Sequence, residues 1–134
     1  MEKYRGSCLC KQTTFEFTGT VAGFYLCHCS RCRKQTGSAH ASNVFFKEAI
    51  FNWLSGEENV STFQLGETRF IKSFCKNCGS ALPRPSQNGR LLVPAGSLDT
   101  KLDIKPTAHI FMASKAQWDC HLEEAPKYEQ LPDS

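Results

Sequence analysis

The amino-acid sequence predicts a mainly β fold stabilised by bound metal ions. Three observations support this fold class: short apolar segments alternate with polar residues, glycines separate those segments, and the cysteines are grouped at short spacings. Metal ions would help to stabilise a loop-rich β fold of this size. The length of 134 residues fits one domain, so residues 1–134 are expected to form a single unit with a polar tail at about 123–134.

Three strands are expected in the first third of the chain. Residues 4–17 contain the alternation typical of a half-buried strand, and Gly19 is expected to end it. Residues 24–27 form a second short apolar segment, and residues 39–46 form a third. All three segments are short enough for strands that are joined by turns.

A single helical turn is expected between the second and third of these strands, over residues 30–35. Ser30 is a favoured N-cap residue, because its hydroxyl can accept a hydrogen bond from a free N–H of the first turn. Gly37 follows the turn, and glycine readily adopts the left-handed conformation that ends many helices.

The remaining predicted elements are also short. Residues 49–54 fit a strand, although their apolar positions also fit helical spacing, and Gly56 is expected to end either element. Residues 60–65 and 68–74 predict a hairpin around Gly66. Further short apolar runs occupy residues 91–93 and 109–113.

Two pairs of cysteines have the spacing of metal ligands. Cys8 and Cys10 are two residues apart, and Cys75 and Cys78 form a C-x-x-C motif followed by Gly79, which permits a tight turn. Two such pairs can supply the four thiolates of a closed, tetrahedral zinc site. Side chains two residues apart on a strand point the same way, so the first pair is expected to bind from a strand and the second from a turn. The alternative, four buried and inert thiols, would not need this pairing.

Cys27, Cys29 and Cys32 form a separate C-x-C-x-x-C motif. Three thiolates without a fourth partner suggest an open zinc site, which leaves one position for water or a substrate thiolate. Two alternatives remain open: the triplet is metal-free and redox-active, or a fourth protein ligand closes the site. The possible fourth ligands are His40, His109 and Cys120. His28 points away from its two cysteine neighbours and is expected to pack beside the site.

Basic residues follow the cysteines of this triplet along the chain. Arg31, Arg33 and Lys34 can offset the negative charge of a zinc ion bound by three thiolates, and they can attract a substrate that carries carboxylates. Alternatively, they form a solvated loop. Arg33 and Lys34 are therefore candidate contacts for an anionic thiol.

Composition and charge exclude several classes of protein. No apolar run approaches the ~20 residues needed to cross a bilayer, and residues 1–20 lack a segment of signal-peptide type, so a cytoplasmic protein without a membrane partner is expected. In a reducing compartment these cysteines are better explained as metal ligands than as disulfides. The formal net charge is +3, but metal binding by seven thiolates would bring it close to zero, so no nucleic-acid partner is expected.

Together, these motifs resemble the glutathione-dependent formaldehyde-activating enzyme family, which also includes relatives of centromere protein V. The motifs that carry the resemblance are G-S-C-x-C at 6–10, C-H-C-S-x-C-R-x-x-x-G-S at 27–38 and F-C-x-x-C-G-S at 74–80. The C-terminal half adds P-A-G-S-L-D at 94–99 and H-I-F at 109–111, followed by Trp118. The resemblance covers nearly the whole chain. It departs from the family pattern at Lys11, where many members have glycine.

The resemblance implies a β-tent fold, which is built from twisted antiparallel sheets with short helical turns. It also implies two Zn²⁺ ions per chain. The structural zinc would be bound by Cys8, Cys10, Cys75 and Cys78, and a second, labile zinc near the substrate by Cys27, Cys29 and Cys32.

The family's namesake reaction joins formaldehyde to the sulfur of glutathione, which gives S-hydroxymethylglutathione and is formally a carbon–sulfur lyase reaction. The resemblance therefore implies an enzyme that acts on a small thiol adduct, with glutathione as the thiol and the cysteine triplet acting through its zinc. Two other functions are weighed against it. A protein-interaction module would have two structural zinc sites and a fourth protein ligand at the triplet. A nucleic-acid-binding protein would need a basic tail or a long basic stripe, which residues 1–134 lack.

Overall fold

The computed structural model describes residues 2–132, and these residues form a mainly β structure with one α-helix. The strands are β1 (Lys3–Ser7), β2 (Thr14–Cys27), β3 (Ala41–Ser55), β4 (Val60–Gln64), β5 (Ile71–Cys75), β6 (Ala81–Leu82), β7 (Arg84–Pro85), β8 (Leu91–Pro94) and β9 (Ala108–Ile110). The helix is α1 (Ser30–Thr36), and 3-10 turns cover Glu57–Asn59, Ala95–Ser97, Met112–Ser114 and Leu122–Glu124. The predicted mainly β fold class is confirmed.

The strands of residues 2–132 form two sheets. In the larger sheet the order is β1-β2-β3-β8-β7, and β9 pairs in parallel with the last part of β2. The smaller sheet has the order β4-β5-β6 and is antiparallel throughout. The antiparallel sheets implied by the family resemblance are therefore present, and the short strand β9 adds one parallel pairing.

The strand β2 is longer than the sequence predicts. It continues through Gly19, and irregular pairing with β3 between Thr18 and Thr20 absorbs the disturbance, so the prediction that Gly19 ends the strand is wrong. A Cβ atom at Gly19 would lie 3.4 Å from the Cα of Ala49, which is an ordinary van der Waals distance, so the packing here does not require glycine. The separate strand predicted at residues 24–27 is the end of β2.

The strand β3 joins two segments that the sequence analysis treats separately, residues 39–46 and 49–54. The second of these pairs along β2, with Phe51 opposite Phe17, so it is a strand and not a helix. The prediction that Gly56 ends this element is confirmed, because β3 stops immediately before Gly56, which has a φ of 72°.

An aromatic cluster on β1, β2 and β3 forms the main core. Phe17 stacks on Tyr4 with 5.0 Å between ring centroids and meets Phe46 edge-on at 4.8 Å. Burial of each such ring stabilises the fold by about 1.5–3 kcal/mol. A second, smaller cluster is formed by Cys27, Cys32 and Ala41, with Phe70 and Ile110 packed against it. Two cysteines of the triplet are thus part of an apolar contact between β2, α1, β9 and the loop before β5.

The helix α1 forms where the sequence predicts a helical turn, but its N-cap is Cys29 and not Ser30. The Cys29 Sγ accepts a hydrogen bond from the Cys32 N–H at 3.3 Å, which is the role expected of the Ser30 hydroxyl. Gly37 ends the helix in the left-handed conformation, with a φ of 65°, and donates its N–H to the Arg33 carbonyl at 2.9 Å.

The remaining predictions for the second half agree in part with the structure. The hairpin is confirmed as β4 and β5, and residues 91–93 lie in β8. Residues 109–113 are extended only in β9, because Phe111 has a φ of 57° and a 3-10 turn follows. In the predicted tail the residues from 123 to 132 are exposed, and residues 133 and 134 lie outside the described residues. No helix within residues 2–132 has the length and apolar character that a membrane span requires.

Candidate metal centres and the adjoining cavity

Four sulfur atoms meet at one end of the two sheets. The Sγ atoms of Cys8, Cys10, Cys75 and Cys78 all lie within 4.8 Å of one another. Two of these distances are 3.5 Å, between Cys8 and Cys10, and 3.9 Å, between Cys10 and Cys75. A tetrahedral zinc site with Zn–S bonds of ~2.3 Å places its sulfur atoms ~3.8 Å apart. The donor set and its spacing therefore fit a zinc ion.

The first pair of this four-cysteine cluster lies in the turn between β1 and β2. The prediction that Cys8 and Cys10 bind from a strand is wrong, because the chain reverses here and the Cys8 N–H donates to the Thr13 carbonyl at 3.0 Å. Lys11 closes the turn by donating its N–H to the Cys8 carbonyl at 3.0 Å, and it has a φ of 65°. This left-handed conformation explains why glycine suits the position.

The second pair lies on a tight turn, as the C-x-x-C-G motif predicts. Cys75 is the last residue of β5, and the Gly79 N–H donates to its carbonyl at 2.7 Å, with a φ of 78° at Gly79. The Ser80 hydroxyl lies 3.2 Å from the Cys78 Sγ. Hydrogen bonds with the Ser80 hydroxyl and N–H lower the pKa of Cys78 to about 5, which favours the thiolate that a metal ion would bind.

The sulfur atoms of Cys27, Cys29 and Cys32 also lie within 4.8 Å of one another. Cys27 ends β2, Cys29 caps α1, and Cys32 is buried within the first turn of that helix. Burial opposes ionisation of Cys29, but hydrogen bonds that include the one from the Cys32 N–H outweigh it and lower the pKa of Cys29. Burial and the neighbouring sulfur atoms raise the pKa of Cys32. Three sulfurs of this geometry can bind a metal as thiolates.

No fourth ligand joins the triplet in the described part of the chain. Among residues 2–132, no other His, Cys, Asp or Glu has a ligand atom within 4.8 Å of all three sulfurs. His109 directs its Nδ1 to His28 Nε2 at 2.9 Å, the His40 ring lies 5.0 Å from the His28 ring, and Cys120 is exposed. The arrangement favours an open site over a closed one.

His28 is buried beside the triplet and faces away from it, in agreement with its predicted packing role. Its side chain is 1% exposed, and its Nδ1 lies 3.1 Å from the Asp119 Oδ2. Burial lowers the pKa of His28, the neighbouring His40 acts in the same direction, and the Asp119 carboxylate opposes them without outweighing them. The role of Asp119 could not be predicted from the sequence, because nothing in the local pattern around Asp119 connects it to a histidine so far away in the chain.

A cavity of about 210 Å³ adjoins the triplet, with Cys27 and Cys32 in its wall. It lies where the larger sheet meets β5, β6 and α1. Three cationic side chains line it, Arg69, Lys72 and Arg84, and no Asp or Glu does. None of the three has an ion-pair partner among residues 2–132. They were absent from the sequence-based candidates because they come from β5, β7 and the loop before β5, far from the cysteine motif.

The basic residues that the sequence analysis selected lie elsewhere around α1. Arg33 Nε donates to the Ser114 carbonyl at 3.1 Å, and Lys34 borders an apolar groove that also contains Phe63 and Leu65. Neither side chain lines the cavity beside the triplet. Their assignment as glutathione contacts stays a prediction.

Comparisons with known proteins identify a matching family and two similar proteins. The model of a family described as "Glutathione-dependent formaldehyde-activating enzyme" matches residues 3–114. The chain is similar to "Uncharacterized lyase" of Schizosaccharomyces pombe, with 30% identity over 91 residues, which span 67% of this chain and 63% of that protein. It also resembles the crystal structure of a Rhodobacter sphaeroides protein, with a TM-score of 0.57, 22% identity and coverage of 78% of this chain and 98% of that chain. At that identity the likeness shows a shared fold.

Proposed function

The chain belongs to the glutathione-dependent formaldehyde-activating enzyme family, and from this membership we propose that it is a zinc-dependent carbon–sulfur lyase acting on a small thiol adduct, similar to S-hydroxymethylglutathione. The observation that carries the proposal is the three-sulfur site next to a cavity, without a fourth protein ligand in residues 2–132. A closed site would stabilise the fold, whereas an open one can bind a reacting group. The name of the yeast relative, a lyase, supports the same class of reaction.

The two cysteine clusters would have different tasks. The four-cysteine cluster would bind a structural zinc ion, because its four sulfurs complete a tetrahedron. The triplet would bind a second zinc ion, which when bound supplies a Lewis acid that can hold a thiolate or polarise an oxygen of the adduct. The Cys32 N–H donates a hydrogen bond to the Cys29 Sγ and stabilises the thiolate form, which is the form that binds zinc.

The cavity would hold the rest of the adduct. Phe45, Phe70 and Ile110 line it and would exclude water from the reacting sulfur, while its cationic side chains would attract the carboxylates of the thiol. In the direction of cleavage the hydroxyl proton of the adduct leaves, the carbon–sulfur bond breaks with its electron pair on sulfur, and formaldehyde and a thiolate result. The reverse sequence joins them.

The experiment that tests this function compares Cys29→Ser with Cys120→Ser. Cys29 belongs to the triplet, whereas Cys120 is exposed and belongs to neither cluster. Turnover of S-hydroxymethyl thiol adducts and the spectrum of cobalt-substituted protein are measured with small thiols up to millimolar concentration, the weak end of specific binding. We expect Cys29→Ser to lose turnover with its fold intact and Cys120→Ser to behave as wild type. Wild-type protein without turnover and without a thiol-dependent spectrum would contradict the proposal.

A non-catalytic protein-interaction module is the second candidate, and one observation favours it. Several apolar side chains in the C-terminal segment are exposed, Phe111 to 63%, Trp118 to 62% and Leu122 to 48%. Phe111 and the adjacent Met112, which is 42% exposed, form contiguous apolar surface, and exposed apolar patches are typical of interaction sites. In this case both zinc ions would be structural, and Cys29→Ser would change the stability of the protein without affecting any turnover.

A further inference from the structure

Apart from the cysteines in its wall, every charged side chain that lines the cavity beside the triplet is cationic. Lys72 and Arg84 are half-buried in its wall, Arg69 is exposed, and no Asp or Glu lines the cavity. The Lys72 Nζ lies 5.5 Å from the centroid of the Phe74 ring, a contact that leaves its charge without an anionic partner. Arg84 donates through Nη1 to the Ile71 carbonyl at 3.0 Å, which fixes the guanidinium while its other N–H groups stay available. Cations without an ion-pair partner beside a cavity favour an anionic ligand.

The rest of the lining is apolar or neutral. Tyr25, Phe45, Phe70, Leu92 and Ile110 contribute aromatic and aliphatic surface, and the other polar side chains are uncharged. An ammonium group bound here would lose its hydration without gaining a carboxylate partner, which is unfavourable. The volume of about 210 Å³ is below the ~300–1,000 Å³ of sites for drug-sized ligands, so a compact ligand fits best.

We propose that the cavity selects a compact thiol that combines an apolar body with a carboxylate and carries no ammonium group. This inference rests on the proposed function, because it takes the sulfur of that thiol to lie at the wall formed by Cys27 and Cys32. The carboxylate then binds at Lys72 and Arg84, and the apolar body packs between the aromatic side chains. Glutathione, with two carboxylates and one ammonium group, fulfils only part of these requirements.

The test uses three thiols: 3-phenyl-2-sulfanylpropanoate, its methyl ester, which differs only in lacking the anion, and glutathione, which is larger and carries an ammonium group and a second carboxylate. Each is titrated into cobalt-substituted protein, where a new metal–thiolate absorption reports sulfur binding, and into zinc-loaded protein, where calorimetry gives the Kd. We expect the carboxylate to bind at least about tenfold more tightly than the ester, because the ester loses a hydrogen bond to a charged group. The same difference is expected from glutathione, whose ammonium group would lose its hydration without gaining a carboxylate partner.

Two variants test the assigned cations. Lys72→Met and Arg84→Met remove the charge and keep a flexible, unbranched side chain that is shorter than the original. Each is expected to weaken binding of the carboxylate about tenfold and to leave binding of the ester unchanged. Lys47→Met, at an exposed position of β3 outside the cavity, is the matched control. Arg84→Met also removes the hydrogen bond to Ile71 and could therefore unfold the protein. In that event the binding measured with Lys72→Met serves as the test of the anion site.

The possible outcomes separate this inference from the proposed function. If glutathione or the ester binds as tightly as the carboxylate, the selectivity inference is wrong while the lyase proposal stands. If Lys72→Met binds the carboxylate as wild type does, the assigned anion site is wrong. If no thiol changes the cobalt spectrum, the proposed function fails, and the inference fails with it.

Discussion

The imidazole of His28 lies against the carboxylate of Asp119, with 3.1 Å between Nδ1 and Oδ2. This contact connects the C-terminal segment to the loop between Cys27 and Cys29. The Nε2 atom on the other side of the ring lies 2.9 Å from His109 Nδ1, so the buried ring has a polar neighbour at each nitrogen. The loop of the cysteine triplet is therefore supported by residues near the other end of the chain.

The first prediction concerns this support. We expect His28→Gln to lower the free energy of unfolding of the metal-loaded protein by about 1–3 kcal/mol, because the replacement removes a buried ring together with its contacts to Asp119 and His109. His121→Gln is the matched control: His121 is exposed, its contact with Glu123 is long at 3.8 Å, and its loss should change stability by no more than about 0.5 kcal/mol. Urea denaturation measures both. Equal effects of the two substitutions would contradict the supporting role of His28.

The second prediction concerns pH. Burial lowers the pKa of His28 below its ordinary value of 6.5, so the fold favours the neutral ring. The resulting stability is fully present above pH 6.5 and is lost as the pH falls through the lowered pKa, since the unfolded chain then binds more protons. We expect the Tm of the wild type to fall more steeply below pH 6.5 than that of His28→Gln, over the range in which both retain their metal. If the Tm of the two proteins falls in parallel with pH, His28 does not contribute to the pH dependence of stability.

The third prediction concerns the four-cysteine cluster. Cys8→Ser and Cys78→Ser should each remove one metal per chain and destabilise the protein by at least about 3 kcal/mol, because assembly of a structural zinc site is coupled to folding. Cys120→Ser, outside both clusters, is the control and should leave metal content and stability unchanged. Metal analysis and thermal unfolding provide the measurements. A Cys78→Ser protein with full metal content and unchanged Tm would refute the assignment.

The fourth prediction concerns the order of metal loss. The triplet offers three sulfurs and the cluster four, so a chelator should remove the ion at the triplet first. Native mass spectrometry during chelator titration should therefore show a species with one ion before the metal-free protein. Cys29→Ser should lack the early step and retain the late one. Simultaneous loss of both ions would indicate two closed sites of equal affinity.

The fifth prediction concerns Lys11 and its φ of 65°. Lys11→Gly should be close to neutral, because glycine removes the left-handed strain but adds freedom to the unfolded chain. Lys11→Val should cost about 1–3 kcal/mol, since β-branched residues rarely adopt this conformation. Lys47→Val, in an exposed position of β3 where such a residue is favoured, shows whether the effect belongs to the turn. Urea unfolding of the metal-loaded variants measures the free energy of unfolding. Equal stability of Lys11→Val and Lys47→Val would contradict a specific cost of valine at the turn.

The parts of the fold that depend on local chemistry could be predicted from the sequence. Gly37, Gly56 and Gly79 all lie where a positive φ ends an element or closes a turn. The short spacings within the C-x-C and C-x-x-C motifs likewise identify the two groups of sulfurs that the structure brings together.

Other features depend on tertiary contacts that no local pattern encodes. Glycine often marks the end of a strand, but the pairing of β2 with β3 continues past Gly19. Serine is a favoured N-cap residue, so the sequence predicts Ser30 as the cap of α1, whereas Cys29 fills that position. The cations of the cavity come from β5, β7 and the loop before β5, and only the meeting of the two sheets places them around one cavity with Cys27.

The distribution of the sulfurs along the chain sets an order for biosynthesis. The triplet lies within six consecutive residues, from Cys27 to Cys32, so its three ligands are all made early in synthesis. The ligands of the four-cysteine cluster are complete only when Cys75 and Cys78 have been made and carried back to Cys8 and Cys10. The ligand set that is completed first is thus the one from which we expect the finished protein to release its ion first.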